Sequence, residues 1–195
     1  MFIKNLWNVL LVGLLALAGC QSTGGQSSTS MGGQSAGISA AEIDRNVDAA
    51  LKKLYASTPA ARELAQRANG ILVFPSVIKA GFMGGAQYGS GALRKKGKTV
   101  AYYTTLGGSY GFQAGVQSFS YALFFMSDEA LRYLDQSGGW EIGAGPSVVV
   151  VDEGTARAMT TTMAKDDVYA FIFGQKGLMA GAGLLGSKIT RLYPD

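Results

Sequence analysis

Apolar positions along the chain fall into four regimes. From Leu6 to Ala18 they are nearly continuous, broken only by Asn8 and Gly13, and from Gln21 to Gly37 they almost vanish. Between Ile43 and Leu64 they recur at helical spacing, and beyond Gly70 they form short runs rich in Val, Ile, Phe and Tyr punctuated by glycine.

The helical stretch has recognisable ends. Ser39 with Glu42 three residues on forms a capping box. Ile43, Val47, Ala50, Leu51 and Leu54 then fall on one face, opposite Asp44, Arg45, Asp48, Lys52 and Lys53. Such a helix either lies on a membrane or covers the core of its own domain, and a polar face of mixed sign favours the core. Thr58 and Pro59 open a second helix that runs through Leu64 and stops at Asn69-Gly70.

The later runs read as strands over 71–74, 82–93, 99–106, 110–125, 147–151 and 168–173. Ser127 caps a short helix through Leu134 that Ser137-Gly138-Gly139 ends, and a further helix is expected over 152–163. The fold class is therefore α+β, with N-terminal amphipathic helices packed on a curved, mainly antiparallel Gly-rich sheet or partial barrel.

Two details stand out in the strands. Apolar residues occupy even positions from Tyr110 to Val116 and odd ones from Phe119 to Phe125, so a bulge near Gln117-Ser118 is expected to restore the inward face. Gly81, Gly85, Gly89 and Gly91 share one parity of the expected strand and leave a face bare of side chains. Either a neighbouring aromatic or backbone packs there, or an apolar ligand such as an acyl chain does.

The N-terminal run, with Lys4 before it, matches a secretory signal and is too short to span a bilayer. It ends in Leu17-Ala18-Gly19-Cys20, which resembles the lipobox at which bacterial lipoproteins are cleaved and the thiol receives a diacylglyceryl group. Residues 1–19 are thus read as a signal peptide, 20–38 as an acylated Cys20 and flexible linker, and 39–195 as one folded domain. Two or three acyl chains make such attachment durable where one would not. Gln21 stands where an inner-membrane retention signal would carry aspartate, so the expected address is the periplasmic face of the outer membrane.

Composition narrows the chemistry. There is no histidine, and Cys20 is the only cysteine, which removes Ser-His-Asp and Cys-His catalysis, disulfides and ordinary zinc sites. Asp152 with Glu153 and Asp166 with Asp167 remain as carboxylate pairs, but adjacent carboxylates diverge in strands and are usually solvated in turns, so no enzyme activity is expected. Gly181-Ala182-Gly183-Leu184-Leu185-Gly186 fits G-x-G-x-x-G without the βαβ unit a dinucleotide requires, and no cofactor is expected. The formal net charge of +4 becomes +3 once Lys4 is removed (4 minus 1), too small to suggest nucleic acid but suited to anionic lipid.

Arg94, Lys95, Lys96 and Lys98 cluster around Gly97 at an expected hairpin tip. The cluster is either a solvated turn or a cationic finger for phosphate. Lys79, Lys176, Lys188 and Arg191 are candidates to extend it.

Ile71-Leu72-Val73-Phe74-Pro75, followed by Lys79-Ala80-Gly81-Phe82 and the glycines to Gly91, resembles the opening block of the SYLF domain family. Ser109 to Gln117 resembles its central S-x-G-x-Q-x-G segment and Phe125-Met126 the motif after it. Gly177 to Gly181 with Gly186-Ser187-Lys188-Ile189 resembles its closing block. The resemblance spans roughly 39–193 and implies a phospholipid-binding module; eukaryotic relatives bind phosphoinositides, and some fungal ones actin. For an exported chain it carries over only as anionic phospholipid binding. The nearest matches to the family's basic surface and amphipathic helix are Arg94 to Lys98 and the helix from Ser39.

The expectation is a non-catalytic, lipid-anchored envelope domain that binds anionic phospholipid through Lys79, Arg94, Lys95, Lys96, Lys98, Lys188 and Arg191. The alternative is a scaffold that recruits an envelope protein or forms a homo-oligomer.

Overall fold

The computed structural model describes residues 39–82, 84–110, 115–151, 165–177, 184 and 186–195. The signal peptide, Cys20, the linker, the helix expected over 152–163 with Asp152 and Glu153, and most of the 181–186 glycine run lie outside the described residues.

Helix α1, Ala40–Ser57, begins where its capping box places it, with Ser39 Oγ accepting from the Glu42 amide at 3.3 Å. Its apolar residues recur every three or four positions, and Ile43, Val47, Ala50 and Leu54 are buried. Helix α2, Pro59–Arg67, has Pro59 in its first turn and buries Ala61 and Leu64. The Thr58 side chain makes no capping bond.

Strands β1 (Gly70–Phe82), β2 (Gly84–Lys95), β3 (Lys98–Tyr110), β4 (Gly115–Phe125), β5 (Trp140–Glu141), β6 (Val148–Val151), β7 (Val168–Gly177) and β8 (Lys188–Leu192) form one curled sheet. The order is β5-β8-β3-β2-β1-β4-β7-β6. Neighbours are antiparallel except β6 and β7, which run parallel, so the sheet is mixed.

Side chains alternate between the faces of a strand, and here both faces carry a core. On one, Ile71, Val73, Ala122, Phe124 and Phe171 meet Ile43, Val47, Leu54 and Leu64 of the helices. On the other, Leu72, Phe74, Val77, Tyr103, Phe119, Tyr121, Leu123 and Phe125 pack with Trp140 and Ile189. Helix α3, Asp128–Arg132, capped by Ser127 and continued by a 3-10 turn over Tyr133–Asp135, adds Ala130, Leu131 and Leu134 to this far face. Each large apolar side chain so buried contributes about 1.5–3 kcal/mol.

The strand expected over 82–93 divides differently. Lys79 to Phe82 belong to β1, which pairs with β2 up to Phe82↔Gly84. Gly81 therefore sits opposite Gly85 on the next strand rather than in line with it. Gly89 and Gly91 do share a face of β2, and the domain's own residues fill it. A Cβ on Gly91 would lie 2.1 Å from the Val73 carbonyl oxygen and 2.8 Å from Phe74 Cδ1, and one on Gly89 would lie 2.8 Å from Val77 Cγ2.

The bulge expected within β4 falls on its neighbours. Between Phe74↔Tyr121 and Val77↔Phe119, β1 has one residue more than β4. Between Ser118↔Lys176 and Ser120↔Phe173, β7 has the extra residue, with Gly174 at φ +64°. Thus β4 keeps its alternation from Gln117 to Phe125, and Val116 simply faces outward. Strands β5 and β8 carry no run that the alternation pattern distinguishes, and they are held by pairing to β3 and to each other.

Candidate functional site

The basic residues expected to act together are dispersed. Arg94 is largely buried against α1, donating to Asp48 Oδ1 at 2.7 Å and to the Asp44 carbonyl oxygen at 3.2 Å. Thr99 and Tyr102 also donate to the Asp44 carboxylate, at 2.6 and 3.1 Å. Burial raises the Tyr102 phenol above its ordinary value, and the Asp44 carboxylate adds to the shift. Lys95, Lys96 and Lys98 are exposed at the β2–β3 hairpin, where Lys96 and Gly97 take positive φ. Arg191 lies on the far face, with Nη1 3.0 Å from Tyr103 OH and 3.4 Å from Asp135 Oδ1 and its guanidinium 5.3 Å from the Tyr103 ring centre. Lys79 is buried on that face too, whereas Lys188 is exposed on the helix side.

Lys188 leads to a surface that composition did not announce. Register places Lys188 beside Leu106, Leu106 beside Tyr88, Tyr88 beside Ile78, Ile78 beside Ser118 and Ser118 beside Lys176. Directly opposed residues share a face, so this row crosses the helix side of the sheet with a lysine at each end. Ile78, Tyr88, Leu106 and Val116 are 51–64 % exposed. Between them and the helix-covered core runs a line of hydroxyls in which Thr104 and Thr190 bond at 2.9 Å and Ser90 and Tyr88 at 3.4 Å.

The same face holds a groove of about 400 Å³ between α1 and the sheet. Asn46, Ala49, Ala50 and Lys53 line it from the helix, and Ser76, Ser118, Ser120, Gly174 and Lys176 from the strands. The two bulges make it. Ser120 Oγ donates at 2.7 Å to the carbonyl of Pro75, the residue the β1 bulge turns aside, and Gly174 occupies the extra position of β7. A Cβ at Gly174 would stand 3.2 Å from Lys53 Nζ as well as straining a left-handed φ. Among the described residues no carboxylate lines the groove, and two ammonium groups and three serine hydroxyls face it.

Lys53, Ser76, Ser118 and Ser120 carried no sequence signal, because only folding brings α1 over the bulges. Ile78 and Val116 did carry one, as apolar residues out of phase with their strands. The carboxylates Asp166 and Asp167 serve the loops. Asp167 accepts from the Ser147 amide at 2.9 Å and its hydroxyl at 3.0 Å, and Asp166 accepts from Tyr169 OH at 3.3 Å.

The curled mixed sheet of this α+β domain thus presents an exposed apolar row between two lysines, beside a groove under α1. The family model described as Ysc84, Las17-binding protein actin regulator, matches residues 106–192. That segment, which includes β4, β6, β7 and β8, carries a domain of the SYLF family. A comparison with curated proteins finds no match.

Proposed function

We propose that the protein is an envelope lipoprotein, held by acyl groups on Cys20, whose domain binds anionic phospholipid without catalysis. The observation that supports this most is the row Lys188-Leu106-Tyr88-Ile78-Ser118-Lys176 beside a groove that Lys53 and Lys176 line and, among the described residues, no carboxylate does. Half-exposed apolar side chains gain on the order of 1 kcal/mol each on leaving water for the bilayer interface. Each lysine near an anionic surface adds about 1 kcal/mol. The exposed Lys95, Lys96 and Lys98 form a separate cationic patch, seven residues along β2 from Tyr88 and roughly 23 Å away. On this reading the acyl chains attach the protein to the periplasmic face of the outer membrane, and the domain's own lipid contact orients it there or reaches an apposed leaflet.

The test is flotation with vesicles of a Cys20→Ser chain exported behind a different, fully cleaved signal, so that neither acyl groups nor the apolar run 6–18 anchors it. Stronger binding to phosphatidylglycerol or cardiolipin vesicles than to neutral ones at low salt is expected; equal binding would falsify the proposal. The second reading is a scaffold that binds a protein partner or itself, favoured by the family's description and the same exposed row. A stoichiometric crosslinked partner in cells, with no vesicle binding, would select it.

A further inference from the structure

Strands β1, β2, β3, β4 and β7 contain no aspartate or glutamate at all. Helix α1 has none after Asp48, and Asp44 and Asp48 are both engaged by Arg94. The groove between α1 and the sheet therefore holds Lys53 and Lys176 with no carboxylate beside them among the described residues. Lys53 reaches over the groove floor, its Nζ 3.2 Å from the position a Gly174 Cβ would take. The Ser120 hydroxyl is spent on the Pro75 carbonyl. Both ammonium groups and the side chains of Asn46, Ser76 and Ser118 have no hydrogen-bond or ion-pair partner among the described residues.

Two cations, two hydroxyls and a carboxamide around a concavity of about 400 Å³ form a donor set for an anion with several acceptor oxygens. That volume is in the range of small-ligand sites, about 300–1,000 Å³, and suits a group larger than a bare ion. Ser118 and Lys176 also end the apolar row, so an anion held between them and Lys53 has Ile78 and then Tyr88 next along the sheet. A phosphate esterified to an acyl-bearing glycerol meets both surfaces at once. A headgroup with its own cation does not, since that charge would stand beside two lysines with no acid to receive it. We infer that the groove is a one-to-one site for the headgroup of a single phospholipid, selecting phosphodiester headgroups that carry no cation, such as phosphoglycerol. The inference rests on the membrane-binding reading and narrows it from adhesion to a charged surface to capture of one lipid molecule.

The experiment titrates monomeric dihexanoylphosphatidylglycerol into the Cys20→Ser chain exported behind a cleaved signal, with dihexanoylphosphatidylcholine as the control of equal acyl length. Backbone amide NMR shifts follow binding. Saturable one-to-one shifts at Ser118, Ser120, Gly174 and Lys176 are expected with the glycerol lipid, and binding at least about tenfold weaker with the choline lipid. Ala49→Trp fills the groove from an exposed position of α1 and leaves every charge in place. It is expected to weaken the glycerol lipid by about tenfold or more, as is Lys53→Met, which removes one cation from the exposed face of the helix. Equal affinity for the two lipids, shifts confined to the Lys95 to Lys98 hairpin, or native affinity in both variants overturns the inference. If vesicles float with the chain but the monomeric lipid does not bind, this inference fails and the membrane reading stands. If neither binds, both fail.

Discussion

Arg94 Nη2 lies 2.7 Å from Asp48 Oδ1 while also reaching the carbonyl oxygen of Asp44, and this ties the base of the β2–β3 hairpin to the first half of α1. Asp48 is mostly exposed, so the ion pair itself is screened, and the part-buried hydrogen bond to the Asp44 carbonyl is the larger part. Arg94→Met is expected to cost about 1–2 kcal/mol in urea unfolding. Vesicle binding should be unchanged, because this guanidinium is not available to lipid.

Tyr88 and Leu106 are neighbours in the exposed row, and each is about half exposed already. Tyr88→Ser with Leu106→Ser should therefore move stability by no more than about 0.5 kcal/mol per site. The same pair should weaken vesicle binding about thirtyfold, near 2 kcal/mol of lost interfacial burial. Flotation beside Lys95→Glu with Lys96→Glu, which leaves the row intact, shows which of the two surfaces the lipid uses. If the hairpin pair alone abolishes binding, the sheet face is not the site.

Lys53 and Lys176 both face the groove. At about 1 kcal/mol per cation, Lys53→Glu with Lys176→Glu should reduce binding to phosphatidylglycerol vesicles at least about thirtyfold at low salt. The difference should shrink as salt shortens the screening length. A flotation series in sodium chloride measures it, and a salt-independent defect would point to misfolding instead.

Burial pushes the Tyr121 phenol far above its ordinary value of 10, opposed by the Thr105 hydroxyl, and neither hydroxyl completes a hydrogen bond. The unfolded chain begins to release this proton near pH 10 while the folded one retains it, so the folded state binds more protons there. The contribution is whole below about pH 10 and is lost as pH rises from that point. Burial shifts Tyr55 and Tyr103 the same way. The urea midpoint should fall above about pH 10, less steeply in Tyr121→Phe, and that variant should stay within about 1 kcal/mol of the native chain at neutral pH because its hydroxyl has no partner.

Gly91 is held against the Val73 carbonyl and the Phe74 ring. Gly91→Ala places a methyl where backbone must move to admit it, with an expected cost of about 3 kcal/mol. Gly108→Ala, where a Cβ meets nothing described within 4 Å, is the control. Thermal unfolding of the two variants should separate them clearly.

Some elements were legible before folding because their causes are local. The Ser39 capping box, the helical spacing of Ile43, Val47, Ala50 and Leu54, and the Ser127 cap act within a few residues, and α1 and α3 begin where those signals stand. The hairpin register was not legible, since Gly81 and Gly85 read as one strand until pairing placed them opposite each other. The phase slip before Phe119 was visible, but its remedy on β1 and β7 was not, because a bulge on either partner relieves the same mismatch.

The sequence by itself determined an α+β domain with the blocks of the SYLF family, and a chain with one cysteine and no histidine. These follow from composition and from interactions among residues close along the chain. Tertiary structure decided which cations stay available. It spent Arg94 on α1 and Arg191 on Tyr103, buried Lys79, and set Lys188 and Lys176 at the ends of one apolar row. The reason is physical: a charge acts on a ligand only when its own protein has not already paired or buried it, and strand register settles that across a hundred residues of chain.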